Sequence, residues 1–300
     1  MRHRSIVIFG GTGFVGRHLV GRLTRDGIRV TLPTRFVERH ADMRLYPGAR
    51  LLRLESYADE AMARLVEGHD AVINLVGILN ERGHDGQGFR RAHVDMTATI
   101  LTAVERTGVA RYLHMSALKA HATAGTSHYL RTKGEAEDLA HEFGRQHGIA
   151  VTSFRPSVIF GPGDSFLNRF AGLVKLVPGV FPLACADARF SPVFVGDVVD
   201  RYFDSLDDVA TYGARLDLCG PRDYRLDELV RYTAETIGRP RRVIGLPDWT
   251  ARLQARLLEL APGKPFSRDN YGSLQTPSVC DPGCPRQPTT LEAVAPRYLR

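Results

Sequence analysis

The sequence has no apolar run long enough to cross a bilayer. Its longest runs, at residues 71–79 and 173–184, fall short of the roughly 20 residues that a membrane helix needs. Only a short apolar stretch precedes Gly10, whereas the apolar region of a secretory signal spans about 7–15 residues. We therefore expect no transmembrane segment and a cytoplasmic location.

Cysteine is also scarce, with four residues in a chain of 300. Cys185, Cys219, Cys280 and Cys284 are too few and too scattered for a disulfide framework, which fits a reducing compartment. Cys280 and Cys284 form a single C-x3-C pattern without a second pair or a nearby histidine. We therefore expect no metal site.

Lysine contributes only four of the 40 basic residues, although the net charge is +7. A basic excess is compatible with three classes of anionic partner: nucleic acid, an anionic membrane surface and a phosphorylated small molecule. The sequence lacks both a run of basic residues and an aromatic RNA-binding signature. We therefore expect no nucleic-acid partner, and we interpret most of the surplus charge as solvated surface.

The first half of the chain alternates short β-branched runs with longer helical patterns. With 43% apolar residues the chain can bury a full core. Strands separated by segments of helix length indicate an α/β fold, with a doubly wound parallel sheet and helices on both faces. The strands are predicted at residues 6–9, 29–32, 50–54, 71–75, 111–115 and 150–154.

After residue 155 the pattern becomes less regular. Residues 1–155 are predicted to form the sheet domain, completed by parts of 191–220, and residues 156–275 a smaller, discontinuous C-terminal α/β substrate lobe. Residues 276–300 contain five prolines and are expected to form a poorly structured tail. The helix predicted at 249–260 carries one apolar stripe, which we interpret as core packing, with a membrane or partner face as the alternative. The stripe consists of Trp249, Leu253, Leu257 and Leu260.

Glycines crowd the turn after the first strand, which reads Gly10-Gly11-Thr12-Gly13-Phe14-Val15-Gly16. In a strand-turn-helix unit, such glycines permit the tight turn, the approach of backbone to a pyrophosphate and close helix packing. The free N–H groups at the helix start attract phosphate. The pattern predicts a Rossmann-type dinucleotide site, with contacts from Gly10, Gly13, Phe14, Val15 and Gly16.

The end of the second strand carries no carboxylate to hold the adenosine ribose hydroxyls of NAD. Arg35 stands there instead, and Arg39 follows it. A guanidinium pairs well with a 2'-phosphate, so NADP(H) is favoured over NAD(H) as the cofactor. The alternative is that Arg35 is a solvated surface residue.

A candidate catalytic set follows the fifth strand. Tyr129 and Lys133 form a Y-x-x-x-K pattern, and residues four apart share a helix face. A nearby ammonium lowers the pKa of a phenol towards the range useful in acid-base catalysis. Ser116, just past the fifth strand, is expected at the carboxyl end of the sheet, where open α/β folds bind ligands.

Four features follow one another along the chain: the glycine loop, Asn74-Leu75-Val76-Gly77, Ser116, and the Tyr129/Lys133 pattern. In this order they resemble the short-chain dehydrogenase/reductase superfamily. Residues 155–164 and 192–198 narrow the resemblance to its extended, epimerase/dehydratase-like branch.

Three shorter segments, at residues 73–79, 129–133 and 166–170, are similar to an atypical group of that branch. This group contains the Rossmann-type accessory subunit of respiratory complex I and its bacterial relatives. The resemblance covers most of the chain and fades in the tail.

The resemblance implies roles for particular residues. Tyr129 would be the general acid/base, Lys133 would hold the nicotinamide ribose and lower the pKa of the tyrosine, and Ser116 would steady a substrate carbonyl. Further cofactor contacts are implied for Val76, Gly77 and Pro156. One residue departs from the pattern, because His93 stands where many members carry an asparagine.

Two functions remain open on the sequence alone. The first is an NADP(H)-binding oxidoreductase or epimerase/dehydratase-like enzyme, acting on a carbonyl, sugar-nucleotide or quinone-like lipophilic substrate. The apolar segment at residues 166–190, expected to roof the pocket, favours a lipophilic substrate or a protein partner. The second is a non-catalytic NADPH-binding structural or regulatory module of a larger assembly such as respiratory complex I. The oligomeric state is not predicted.

Overall fold

A computed structural model describes residues 3–259 and 266–299 of the chain. Its α-helices and strands are given in chain order. The strands are β1 (Ser5–Phe9), β2 (Arg29–Thr34), β3 (Ala49–Arg53), β4 (Ala71–Asn74), β5 (Arg111–Met115), β6 (Ala150–Pro156), β7 (Ile159–Phe160), β8 (Val180–Leu183), β9 (Arg189–Phe190), β10 (Val193–Phe194), β11 (Arg215–Leu218), β12 (Tyr224–Arg225) and β13 (Arg242–Gly245). The α-helices are α1 (Phe14–Arg25), α2 (Asp59–Val66), α3 (Gln87–Arg90), α4 (Met96–Thr107), α5 (His128–His147), α6 (Phe166–Leu176), α7 (Val195–Ser205), α8 (Leu226–Thr236), α9 (Asp248–Leu258), α10 (Arg268–Leu274) and α11 (Leu291–Val294).

The predicted doubly wound sheet is confirmed. Seven strands form one sheet in the order β11-β6-β5-β4-β1-β2-β3, and the pairs among β1 to β6 are parallel. Ile6 in β1 pairs with Val30 on one side and Ala71 on the other. The strand order therefore reverses beside β1, and such a switch point is where open α/β sheets bind ligands.

Burial on both faces explains why β1 is apolar from Ile6 to its end. Residues Ile6 to Phe9 are all buried, as expected for a central parallel strand covered by helices on each side. One face packs with α4 through Ile100 and Val104. No helix in the described ranges, 3–259 and 266–299, combines the length and hydrophobicity needed to cross a membrane.

The chain divides into two compact units, each built from three segments. The first unit contains Met1–Ala117, Thr132–Arg155 and Val198–Leu216. The second unit contains Leu118–Arg131, Pro156–Asp197 and Asp217–Arg300. Helix α5 passes from the second unit into the first between residues 131 and 132.

The prediction of a poorly structured tail is wrong. Leu291, Ala295 and Leu299 are buried in a core cluster of the second unit that also contains Leu229 of α8. The hydroxyl of Tyr298 donates to Asp164 at 2.5 Å. Prolines exclude long regular elements from this segment, but they do not prevent its apolar side chains from packing.

The interpretation of the α9 stripe as core packing is also wrong. Trp249, Leu253 and Leu257 are 70%, 49% and 61% exposed, and Leu260 lies outside the described residues. Ala251 and Ala255 of the same helix are buried instead. The helix therefore packs through its small side chains and leaves its large ones at the surface.

The apolar segment expected to roof a pocket is used for packing within the second unit. Val174 and Phe181 are buried in a core cluster with Leu226 and Val230 of α8. Phe166, Phe170, Leu173 and Val177 pack against the same cluster, while Leu176 is exposed. Core formation thus accounts for most of the apolar character of this segment.

One disulfide joins Cys219 to Cys280, 61 residues further along the chain. The expectation that four scattered cysteines form no disulfide framework missed this bond. The bond could not be predicted from the sequence, because its two cysteines come together only on folding. The folded tail lies beside the end of β11, where Gln287 donates its backbone N–H to the carbonyl oxygen of Cys219 at 2.8 Å.

Candidate functional site

The glycine loop forms a tight turn between β1 and α1. The N–H of Gly13 donates to the carbonyl of Gly10 at 3.0 Å, and Gly10 has a φ of +78°. A Cβ at Gly10 would lie 2.9 Å from the backbone of Leu75, and one at Gly16 would lie 2.5 Å from the carbonyl oxygen of Gly11. Glycine is therefore required at both positions by the close approach of backbone.

The start of α1 has the features of an anion-binding helix N-terminus. Gly13 occupies the N-cap position without a side-chain hydrogen bond, and the first turn carries no acidic residue. The first N–H groups of a helix have no partner within the helix and carry a partial positive charge. Phosphate groups of a dinucleotide fit this arrangement.

Several of the predicted cofactor residues lie side by side in the first unit. A Cβ on Gly10 would approach the backbone nitrogen of Val76 at 3.0 Å, and one on Gly77 would lie 3.1 Å from the Nζ of Lys133. The glycine loop, the end of β4 and Lys133 are thus contiguous. Pro156, at the end of β6, belongs to the second unit.

Arg35 and Arg39 flank an exposed aromatic ring just past β2. The guanidinium carbons of Arg35 and Arg39 lie 5.6 and 4.4 Å from the centre of the Phe36 ring. Within the described part of the chain, neither arginine forms an ion pair. Two positive charges are therefore available at the position where a Rossmann domain meets the adenosine ribose.

Lys133 is buried and held by backbone oxygens. Its Nζ donates to the carbonyl of Met115 at 2.8 Å and to that of Val76 at 3.3 Å. Burial lowers the pKa of Lys133 to about 8, and the charge of Glu137 opposes this shift. The ammonium therefore sits at the carboxyl ends of β4 and β5 with a proton that it loses more readily than an exposed lysine does.

Ser116 follows directly on the strand that Lys133 contacts. Its side chain is buried, and its Oγ has no hydrogen-bond partner in the part of the chain that the structure describes. An unsatisfied buried hydroxyl is costly unless a ligand supplies the partner. Ser116 is thus suited to donate a hydrogen bond to a ligand oxygen.

Tyr129 lies in the first turn of α5, one turn before Lys133, and belongs to the second unit. Burial and the charge of Asp269 raise the pKa of its phenol to about 12. The Asp269 carboxylate also accepts the N–H groups of His128 and Tyr129, and so caps the helix. The expected lowering of the tyrosine pKa is therefore wrong for this structure, since burial and Asp269 both favour the neutral phenol.

His93 links the loop after β4 to α5. Its Nε2 accepts the N–H of Ile78 at 3.1 Å, so the proton lies on Nδ1, which donates to the Thr132 hydroxyl at 2.8 Å. Burial and the nearby Lys133 lower the pKa of His93 to about 2. The histidine that replaces the family's asparagine is therefore a neutral bridge next to Lys133, in a single π-helical turn at Arg91–Asp95.

His114 on β5 is a buried polar residue whose replacement should stabilise the protein. Neither ring nitrogen has a hydrogen-bond partner among the described residues, and burial lowers the pKa of His114 well below its ordinary value. We expect His114→Leu to raise the free energy of unfolding by about 1–3 kcal/mol in urea denaturation, because it removes an unsatisfied buried group.

The pH dependence gives this prediction a second readout. The folded-state pKa of His114 is depressed, so the unfolded chain takes up the proton first as the pH falls below about 6.5, and the wild type loses stability there. The gain from His114→Leu should therefore grow in acid. His69→Leu is the matched control, because His69 bonds to Thr31 at 2.8 Å and its loss should destabilise. Destabilisation by His114→Leu would contradict the prediction.

Comparison with known proteins identifies the family. Residues 6–212 match the NAD dependent epimerase/dehydratase family. The chain belongs to this family. The resemblance to extended short-chain dehydrogenase/reductases is thereby confirmed, and the glycine loop, Ser116, Tyr129 and Lys133 all lie within the matched residues.

The relatives of this chain are named for different functions. Subunit 9 of the NADH dehydrogenase (ubiquinone) 1 alpha subcomplex, a mitochondrial protein of Mus musculus, is 29% identical over 98% of this chain and 79% of its own. A protein named ceramide reductase from Caulobacter vibrioides is 28% identical over 81% of this chain and 74% of its own. The family is therefore shown, while the names of its members point to different activities.

Solved structures of epimerases share the fold. An epimerase from Methanothermobacter thermautotrophicus has a TM-score of 0.71 at 18% identity and covers 91% of each chain. The UDP-glucuronic acid 4-epimerase of Bacillus cereus, solved with UDP-glucuronic acid and NAD, has a TM-score of 0.70 at 17% identity over 92% of this chain and 95% of its own. At these identities the likeness concerns the fold alone.

Proposed function

We propose that this protein binds NADP(H) and reduces a carbonyl compound. The observation that carries the proposal is the continuous surface formed by the glycine loop, the end of β4 and the buried Lys133 ammonium. Close backbone approach, free N–H groups at the start of α1 and a nearby cation are what a dinucleotide requires. A wider side chain at Gly10 or Gly16 would fill the space where the backbone turns.

The residues that would hold the cofactor follow from this surface. The start of α1 would take the pyrophosphate, Arg35 the 2'-phosphate and Lys133 the nicotinamide ribose. The bound nicotinamide would supply the hydride for the carbonyl carbon. Other contacts are proposed from Gly10, Gly13, Phe14, Val15, Gly16, Val76, Gly77 and Pro156.

Ser116 and Tyr129 are proposed to act on the carbonyl oxygen. The Ser116 hydroxyl would donate a hydrogen bond to it, which satisfies the unpaired Oγ. Tyr129 would donate its proton as the oxygen gains charge. A phenol with a pKa of about 12 is protonated at neutral pH, which supports the direction of reduction over oxidation.

The substrate proposed first is a lipophilic ketone or quinone. The name of the Caulobacter vibrioides relative, a ceramide reductase, supports this class. Sugar nucleotides are the second class, supported by the name of the Bacillus cereus neighbour, a UDP-glucuronic acid 4-epimerase. A panel that contains both classes, followed by NADPH oxidation, tests the choice.

A second candidate function is a non-catalytic NADPH-holding module of a larger assembly, with a protein partner. It is supported by the mouse NADH dehydrogenase subunit, whose alignment covers 98% of this chain. A nucleotide that co-purifies at one per chain, exchanges slowly and is not oxidised by any member of the panel would favour the module. Cytoplasmic residence is part of both proposals, and cell fractionation tests it.

Arg35→Ala tests the cofactor preference. We expect the ratio of NADPH to NADH affinity to fall at least tenfold by calorimetry, because a charge-assisted bond to the 2'-phosphate contributes about 1.5–3 kcal/mol. Affinity for NADH should stay nearly constant. Arg44→Ala is the matched control, since Arg44 is also exposed and lies on the same segment. Equal affinity of the unmutated protein for both nucleotides would remove Arg35 from the proposal.

A further inference from the structure

Three of the four cysteines meet at one place in the second unit. Cys219 directly follows β11 and is bonded to Cys280. The Sγ of Cys284 lies only 3.1 Å from the Sγ of Cys280. A free thiol is therefore in contact with one sulfur of an existing disulfide, and Leu118 packs beside the group.

The position of Cys284 is fixed by bonds that do not involve sulfur. Its backbone N–H donates to the carbonyl of Asp281 at 3.2 Å, which closes a turn. Lys119 pairs with Asp281 at 2.7 Å, and the guanidinium of Arg286 donates to the carbonyl of Gly220 at 3.1 Å. The thiol is thus held at the disulfide from both sides of the turn.

We propose that Cys219, Cys280 and Cys284 form a thiol–disulfide exchange site, in which Cys284 replaces Cys219 as the disulfide partner of Cys280. The thiolate of Cys284 forms a new bond to the Sγ of Cys280, and the bond from Cys280 to Cys219 breaks. Cys219 leaves with the electron pair as a thiolate and takes up a proton, which replaces the one that Cys284 gave up. One disulfide and one thiol are present before and after, so the step needs no oxidant.

Charges around Cys284 set the rate of this exchange. Burial raises the pKa of the thiol, Asp217 and Asp281 raise it further, and Arg286 and Lys119 oppose them. At neutral pH the thiol form therefore predominates, and the nucleophilic thiolate is a minor species. While the pH remains below the pKa of Cys284, the rate of exchange should rise about tenfold for each unit by which the pH increases.

The two isomers differ in what they tie together. The Cys219–Cys280 bond joins segments 61 residues apart, and so fastens the tail covalently to the end of β11. The Cys280–Cys284 bond closes only the local turn. Exchange therefore releases the tail from its covalent attachment while its hydrogen bonds remain.

Labelling of the full-length protein tests the proposal. Purified protein is oxidised with glutathione disulfide, freed of the oxidant, equilibrated between about pH 7 and pH 9, quenched in acid with N-ethylmaleimide and digested with trypsin. Cys219 lies in the peptide of residues 216–222, whereas Cys280 and Cys284 share that of 269–286. We expect label on Cys219 in some chains and on Cys284 in the rest, with a 269–286 peptide closed by its own disulfide.

Three outcomes would overturn the proposal: label confined to Cys284 at every pH, label on all three cysteines after oxidation, or one zinc ion per chain in protein purified without chelator. A metal site built from Asp217 and the reduced cysteines would explain the last, since the donor atoms of Asp217, Cys280 and Cys284 lie within 4.8 Å of one another. Cys284→Ser should hold only the Cys219–Cys280 bond. Cys185→Ser is the control, because Cys185 is a free thiol outside the group, and should leave the labelling ratio unchanged.

Discussion

Tyr129→Phe is expected to lower the turnover of a carbonyl substrate by about 10²–10⁴-fold, the usual contribution of a positioned proton donor. Burial, together with the charge of Asp269, raises the pKa of the phenol to about 12 and so keeps it protonated. Phenylalanine keeps the ring and removes only the proton donor. The affinity for NADPH should therefore change little, so that kcat falls while nucleotide binding, measured by calorimetry, remains.

The pH profile separates a catalytic role of Tyr129 from a structural one. Because the phenol stays protonated far below its pKa of about 12, the rate of reduction should not titrate with this group between about pH 6 and pH 9, whereas the reverse oxidation should rise with pH. Tyr57→Phe, at a half-exposed tyrosine, is the control. Unchanged turnover in Tyr129→Phe would show that Tyr129 is not the proton donor, whereas the absence of turnover in both proteins would favour the nucleotide-holding module.

Glu137→Gln should lower the free energy of unfolding by about 3–5 kcal/mol, the cost of breaking a buried ion pair from one side. The carboxylate is 1% exposed. It accepts a hydrogen bond from the Nε of Arg155 on β6 at 2.8 Å and forms an ion pair with the Nε of Arg215 on β11 at 3.0 Å. One buried acid thus joins α5 to two neighbouring strands, and a neutral amide removes the charge that both guanidinium groups share.

Urea denaturation with matched variants measures this cost. Asp138→Asn is the control, because Asp138 pairs with the same Arg215 at 2.8 Å but is half exposed. Surface pairs contribute about 0–1 kcal/mol, so the two neighbouring carboxylates should differ severalfold in effect. A loss below about 1 kcal/mol in Glu137→Gln would contradict the prediction.

The sequence predicts those parts of the fold that local chemistry determines. The alternation of apolar runs predicts β1 to β6 to within two residues at their ends, because a parallel sheet buries each strand on both faces. The glycine loop is found as expected, since only glycine permits the backbone approach at Gly10 and Gly16. Lys133 is at the carboxyl ends of β4 and β5 because the Y-x-x-x-K pattern opens the helix that follows β5.

Properties set by distant residues could not be predicted. The pKa of Tyr129 is raised by burial in the folded protein and further by the charge of Asp269, which lies 140 residues further along the chain. The partner of Cys280 likewise lies 61 residues before it. The stripe on α9 has the spacing of a core face, yet the neighbouring elements pack against Ala251 and Ala255. Periodicity identifies an apolar face but does not show what covers it.

The three-segment construction of each unit has a consequence for synthesis. The sheet of the first unit needs Val198–Leu216, and the core of the second needs Leu291, Ala295 and Leu299. At about 5–20 residues per second, the ribosome completes the two sets several seconds apart. During that interval the first unit has all of its segments, while the core of the second unit still lacks Leu291, Ala295 and Leu299 and leaves its apolar partners such as Leu229 uncovered.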